Sequence, residues 1–160
     1  MEKKYLNIKF KLKRNKEFTL IKYKYKKRSY DERPMALDVL LQAQEEKYDD
    51  LAFRYGCRAR NCGVCTIDIN KRPKLACRAR VKEGDILSAI ATLPVIKDLV
   101  VKRDAITRQM KGYNNISHTN DLNEDADKTY HNLTACIECY ACLDGCPVHA
   151  KNNIVDIQNN

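Results

Sequence analysis

The sequence lacks an apolar leader. Its first ten residues, MEKKYLNIKF, contain nothing like the apolar stretch of a secretory signal, so export is not expected. A bilayer-length apolar run is missing too: the longest mostly apolar stretch, residues 86–96, is too short to span and includes Ser88, Thr92 and Pro94. No internal repeat is visible, and the residues offer neither a phosphate-binding loop nor a nucleophile–base pair. Acidic residues are scarce at the front, where residues 2–28 set twelve Lys or Arg against Glu2 and Glu17 alone. Membrane-spanning and secreted classes are thereby set aside.

What remains is a 160-residue chain, 44% hydrophobic and 32% charged, enough for one domain or one domain and part of a second. Lys and Arg number 30 against 21 Asp and Glu, a net charge of +9 that admits an anionic partner without requiring one. The eight cysteines say more. Without an export signal they are expected as reduced thiols, and their grouping reads as ligand spacing rather than a disulfide framework.

Near the front, Ile8, Phe10 and Leu12 alternate with Lys9, Lys11 and Lys13, and Ile21, Tyr23 and Tyr25 alternate with Lys22, Lys24 and Lys26. Period-two alternation predicts two strands with one buried and one basic face, joined as a hairpin through the polar residues 14–17. Pro34 then opens a helical pattern of Met35, Leu37, Val39, Leu40 and Ala43, with Asp31 or Glu32 favourably placed before it and residues 45–50 as its exit. Beyond the cysteines at 57–65, an alternating run at 64–69, a turn at 70–73 and a partner strand at 74–80 are expected. Residues 86–92 read as another strand and 94–102 as a short helix. The sum is a small mixed α+β unit. Residues 112–128 are mostly polar and read as linker or loose surface segment.

The first cysteine group is Cys57-x4-Cys62-x2-Cys65-x11-Cys77. Its opening spacing is that of plant-type [2Fe–2S] proteins: three thiolates wrap the cluster from one loop and a fourth arrives from a nearby strand. Gly56 and Gly63 stand where a backbone must approach closely. The second group is Cys136-x2-Cys139-x2-Cys142-x3-Cys146-Pro147, the bacterial ferredoxin run that signals [4Fe–4S]. In two-cluster proteins the last cysteine of that run serves the other cluster, and no second run exists here. Cys146 therefore closes its own cubane, or a partner chain or exogenous ligand does, or the module is incomplete; the cysteine arithmetic favours the last. A structural zinc site is the competing metal for both groups, and the x4 loop fits it poorly.

These motifs resemble the iron–sulfur subunit of succinate dehydrogenase and fumarate reductase. The matching stretches are LAFRYGCR at 51–58, CGVC at 62–65, PKLAC at 73–77, LPVIKDLVV at 93–101 and CIECYACLDGCP at 136–147. The stretch at 93–101 is the most specific, because it is no metal motif. The resemblance, over residues 5–150, implies a β-grasp, plant-type 2Fe-2S ferredoxin-like domain at 1–103, a polar linker at 104–128, and a truncated all-α ferredoxin-like 4Fe-4S segment at 129–160. It also implies that Cys57, Cys62, Cys65 and Cys77 hold [2Fe–2S] and that Cys136, Cys139 and Cys142 hold [4Fe–4S]. In the family the position of Cys146 serves a third, three-iron cluster, whose other cysteines are absent here. A shortened relative of the methanogen thiol:fumarate reductase subunit fits equally well. Arg60 departs from the family by standing where a small residue is usual.

The implied function is electron transfer, one electron at a time, between a flavoprotein subunit and a second redox subunit or carrier. The implied location is cytoplasmic, or peripheral on the cytoplasmic face of a membrane through partners. Arg58 and Gly63 are expected beside the ligands, Arg58 to bond sulfur or dock a partner. Two other classes compete: a redox-sensing regulator that binds nucleic acid through the lysines, and a zinc-stapled interaction module. The strand alternation already explains the lysines as a solvated face, so no nucleic acid is expected. His118, His131 and His149 read as solvated, with His149 a candidate substitute ligand.

Overall fold

The computed structural model of the chain describes residues 4–28, 33–104, 135–144 and 146–147. Strands β1 (Tyr5–Arg14) and β2 (Glu17–Lys26) pair antiparallel as the alternation predicts. Leu6, Ile8, Phe10, Leu12, Tyr23 and Tyr25 are buried on the inner face. Asn15 (φ 48°) and Lys16 (φ 68°) make the two-residue connection, and positive φ at both positions matches the twist of the flanking strands. A second hairpin, β3 (Thr66–Ile69) and β4 (Arg72–Leu75), turns on the same dipeptide, Asn70 (φ 53°) and Lys71 (φ 63°). Strand β5 (Ile86–Ser88) runs parallel to β1 and antiparallel to β3, giving a five-stranded sheet in the order β2-β1-β5-β3-β4.

Helix α1 (Ala36–Glu46) covers the inner face, burying Ala36, Leu37, Val39, Leu40 and Ala43 against the strands. Each large apolar side chain so buried contributes about 1.5–3 kcal/mol. Phe10 stacks on Tyr23 at 5.7 Å, and the Tyr23 hydroxyl donates to Glu46 Oε2 at 2.9 Å, so the ring is buried without stranding its polar end. One helix held across a mixed sheet is the β-grasp arrangement.

Several boundaries differ from expectation. Residues 94–102 are not a helix but a hairpin of β6 (Val95–Lys97) and β7 (Val100–Val101). Pro94 and the β-branched Val95, Ile96, Val100 and Val101 disfavour helix, and Asp98 at φ 49° makes the turn. The helix begins at Ala36 rather than Pro34, because Met35 bridges Arg80 and the Pro34 carbonyl accepts from Val81 N–H at 3.0 Å. The partner strand is 72–75 rather than 74–80; Pro73 is tolerated there because β4 is a sheet edge. Strand β5 stops at Ser88, after which Ala89, Ile90 and Leu93 pack with Val101 and Tyr140 in a second apolar cluster. All of Thr66–Ile69 is buried, since that cluster and its neighbours cover the face that alternation alone would leave wet. Asp31, Glu32 and the expected linker from 105 onward lie outside the described residues.

Asp98 fastens the late hairpin to the sheet. Fully buried, it accepts from Arg14 Nε at 2.9 Å through Oδ1 and from Ala52 N–H at 2.9 Å through Oδ2, while its own N–H donates to the Lys13 carbonyl. Arg14 also reaches Asp50 at 2.9 Å, and its guanidinium holds that carboxyl below the usual range. Asp98→Ala removes the acceptor of the Ala52 N–H and one of the two carboxylates bonded by Arg14, which is itself about a third exposed, and is expected to lower stability by about 1–3 kcal/mol. Asp98→Asn should lose less. Urea midpoints of the two variants check this order.

Candidate metal centre

The first cysteine loop runs between α1 and β3. Cys57 is exposed, Cys62 half-buried, and Cys65 and Cys77 buried. Three residues turn the loop through the left-handed region: Arg58 (φ 56°), Arg60 (φ 66°) and Gly63 (φ 62°). For the two arginines this costs about 1–2 kcal/mol apiece. Between and beside them, the N–H groups of Ala59 and Asn61 are aimed at Cys57 Sγ, at 3.4 and 3.2 Å. Such inward-turned backbone donors form the concavity that receives anions at iron–sulfur sites. They draw the Cys57 thiol down to about 7, the Ala59 bond contributing most. Burial pushes Cys65 the other way, to about 11.

Cys77 is delivered by a tight turn in which the Leu75 carbonyl accepts from both Arg78 and Ala79, while Ala76 N–H donates to the Cys65 carbonyl at 2.9 Å. Cys57 interacts with Cys62 and Cys65 with Cys77, and Cys62 also acts on Cys65, so the four thiols form one connected group. Among the described residues no three His, Cys, Asp or Glu side chains converge on one ion position. Arg58, expected to bond sulfur or dock a partner, lays its guanidinium over the Tyr55 ring at 5.6 Å.

Of the second group, Cys136 and Cys142 are exposed and Cys139 and Cys146 half-buried. Cys142 lies on the short helix α2 (Ala141–Asp144), and Cys146 N–H closes onto the Leu143 carbonyl at 3.2 Å. Glu138 (φ 51°) and Tyr140 (φ 60°) again carry left-handed backbone between ligand positions. His118, His131 and His149 lie outside the described residues.

The two cysteine loops meet at Gly63. A Cβ placed there would sit 2.0 Å from the Ile137 carbonyl oxygen and 3.0 Å from Cys139 N. Gly56, by contrast, leaves an ordinary 3.4 Å to Cys62 Sγ, so the demand for glycine falls on one position. Residues that no local pattern marks complete the contact. Tyr140 is buried among Ala89, Ile90, Leu93 and Val101. Arg103 donates to the Glu138 carbonyl and stacks on Tyr140 at 4.8 Å. Thr92 Oγ1 donates to Asp144 Oδ1 at 2.6 Å. Beneath it, Asp68 is buried with Oδ1 unpartnered. Burial, and secondarily the charge of Asp144, pushes its carboxyl up to about 6.

Two outcomes follow from this contact. Gly63→Ala should force residues 136–140 away and accelerate hydrogen exchange across 135–144 by about tenfold or more, while the sheet's amides stay protected. Unchanged exchange there would show that the loops do not touch. The Asp68 carboxyl keeps its proton to higher pH when folded, so its contribution is present in acid and lost as pH climbs through about 6. Asp68→Asn should therefore gain about 1–3 kcal/mol on the parent as pH rises from roughly 4 to 7, with little further change above. Urea midpoints across that range check it, and a constant difference contradicts it.

The 2Fe-2S iron-sulfur cluster binding domain family matches residues 7–108. The chain is 36% identical over 129 residues to a subunit of the fumarate reductase (CoM/CoB) of Methanothermobacter marburgensis, covering 75% of this chain and 26% of that protein. It is 33% identical over 132 residues to the mitochondrial succinate dehydrogenase [ubiquinone] iron-sulfur subunit 1 of rice, covering 74% and 47%. The chain thus spans about a quarter and about half of these relatives. In fold it is similar to a chain of the Mycobacterium smegmatis Sdh1 complex in the apo form, with TM-score 0.77, 24% identity, 92% of this chain and 65% of that one. Among the described residues no helix is long and apolar enough to cross a membrane. The β-grasp sheet, the grouped thiols and these relatives agree: the chain belongs to the 2Fe-2S iron-sulfur cluster binding domain family, within the iron–sulfur subunits of fumarate reductase and succinate dehydrogenase.

Proposed function

We propose that the chain is an electron-transfer subunit of a succinate dehydrogenase/fumarate reductase-type complex. It passes electrons one at a time between a flavoprotein subunit and a second redox subunit or carrier, in the cytoplasm or at the cytoplasmic face of a membrane. The observation that carries this reading is the loop backbone turned inward on the first thiol, with the Ala59 and Asn61 N–H groups donating to Cys57 Sγ at 3.4 and 3.2 Å. In a [2Fe–2S] group each iron takes two thiolates, so Cys57 and Cys62 would hold one iron and Cys65 and Cys77 the other. When bound, the group supplies a one-electron change of charge without bond chemistry. The chain's part is to fix the sulfurs, aim the Ala59 and Asn61 N–H groups at Cys57, and exclude water around Cys65 and Cys77.

Cys136, Cys139 and Cys142 would hold a [4Fe–4S] group, its fourth bond coming from Cys146, a partner chain or an exogenous ligand. The Gly63 contact supports placing the two groups in series, because backbone atoms of the two loops touch there with no side chain between. Anaerobic reconstitution should give brown protein with about six irons and matching sulfide per chain, or two where the second module stays empty. Cys62→Ser should abolish the two-iron paramagnetic signal seen on dithionite reduction and leave the other. Colourless protein with stoichiometric zinc contradicts the proposal, and joint loss of both signals contradicts two separate modules.

A further inference from the structure

The face of the β1–β2 hairpin turned away from α1 is built from ten facing residues: Tyr5, Asn7, Lys9, Lys11 and Lys13 opposite Lys26, Lys24, Lys22, Leu20 and Phe18. Six are lysine and none is acidic, although Glu83 accepts from Asn7 Nδ2 at 2.7 Å. Lys9 stands directly opposite Lys22, a like-charge pair that weakens a hairpin unless something outside offsets it. Among the described residues Lys9, Lys11, Lys22, Lys24 and Lys26 make no ion pair. Two ammonium groups are instead propped on rings, Lys11 over Phe18 at 4.9 Å and Lys24 over Tyr5 at 4.4 Å.

The turn end differs from the rest. There Phe18 is 55% and Leu20 53% exposed, and Ile96, 59% exposed, lines a corner with Lys13, Asn15, Lys16 and the carboxylate Asp50, whose charge Arg14 and Lys97 take up. The Lys13 ammonium fastens that corner by donating to the Val95 carbonyl at 2.9 Å. The outcome is a basic strip about 30 Å long with an apolar tip.

We infer that this hairpin face docks on the surface of an anionic phospholipid bilayer, the lysines over the headgroup phosphates and Phe18, Leu20 and Ile96 entering the headgroup–acyl boundary. The residue types select the occupant. Protein interfaces favour arginine and deplete lysine, whereas every cation on this strip is lysine. Lysine is a compact, hydrated point charge without the planar fork that fixes one carboxylate or base, so it suits many mobile phosphates. Apolar side chains beside such charges add the partition that a purely electrostatic contact lacks.

The test is co-sedimentation of the full chain, prepared without air, with phosphatidylcholine vesicles containing about one-third phosphatidylglycerol, against pure phosphatidylcholine. Binding is expected on the anionic vesicles alone, weakening as salt rises. The triple variant Lys11→Glu, Lys22→Glu, Lys24→Glu should bind about tenfold or more weakly, and Phe18→Ser with Leu20→Ser should also bind less. Unchanged urea midpoints and metal content establish that the variants fold. Equal binding to both vesicle types, none to either, or wild-type binding by the triple variant overturns the inference. So does preference for duplex nucleic acid or polyglutamate over vesicles at equal anion concentration.

Discussion

Where the two cysteine loops cross, the backbone of Gly63 lies so close to Ile137 and Cys139 that no side chain fits between them. Everything distinctive about the molecule is arranged around that contact. On one side, the sheet and α1 hold β3 and the turn after β4, which carry Cys65 and Cys77. On the other, Tyr140 and Leu143 seat the second loop on the apolar patch of Ala89, Ile90, Leu93 and Val101. Because atoms of the two ligand loops touch directly, whatever the loops hold is brought close without any intervening side chain.

The loops also share a local device. In each, residues between ligand positions adopt left-handed backbone, and most of them are not glycine: Arg58, Arg60, Glu138 and Tyr140. This conformation is unfavourable for residues with a Cβ, and clustering of such strain at two thiol loops marks them as the places where geometry serves something beyond folding. In the first loop the gain is visible as N–H donors turned onto Cys57. Arg60, at a place where a small residue was expected, holds the left-handed backbone at a cost in strain.

The hairpins, the helix and both cysteine groups were legible because each depends on local rules: alternation for the strands, helical spacing at 37–43, and ligand spacing for the thiols. The hairpin at 95–101 was not. A short apolar stretch is ambiguous between helix and strand: Pro94 and the β-branched residues after it tip the balance to strand, and Arg14 and Ala52, from far away in the chain, hold Asp98 at the turn. Gly63 could be marked as special from its place between two ligands, but the atom that excludes a side chain belongs to Ile137. Arg103, Thr92 and Asp68 carried no local signal at all, since their partners are the second loop. The roles of Arg58 divide the same way: its position beside a ligand was evident, whereas the ring of Tyr55 as resting place for its guanidinium was not.

Electron paramagnetic resonance of the fully reduced, doubly loaded chain tests the central claim most directly. Metal groups held in touching loops should relax one another, so the two-iron signal is expected to broaden and relax faster when the second group is reduced as well. A two-iron signal whose relaxation is indifferent to the second group would contradict the contact at Gly63 and the serial arrangement built on it.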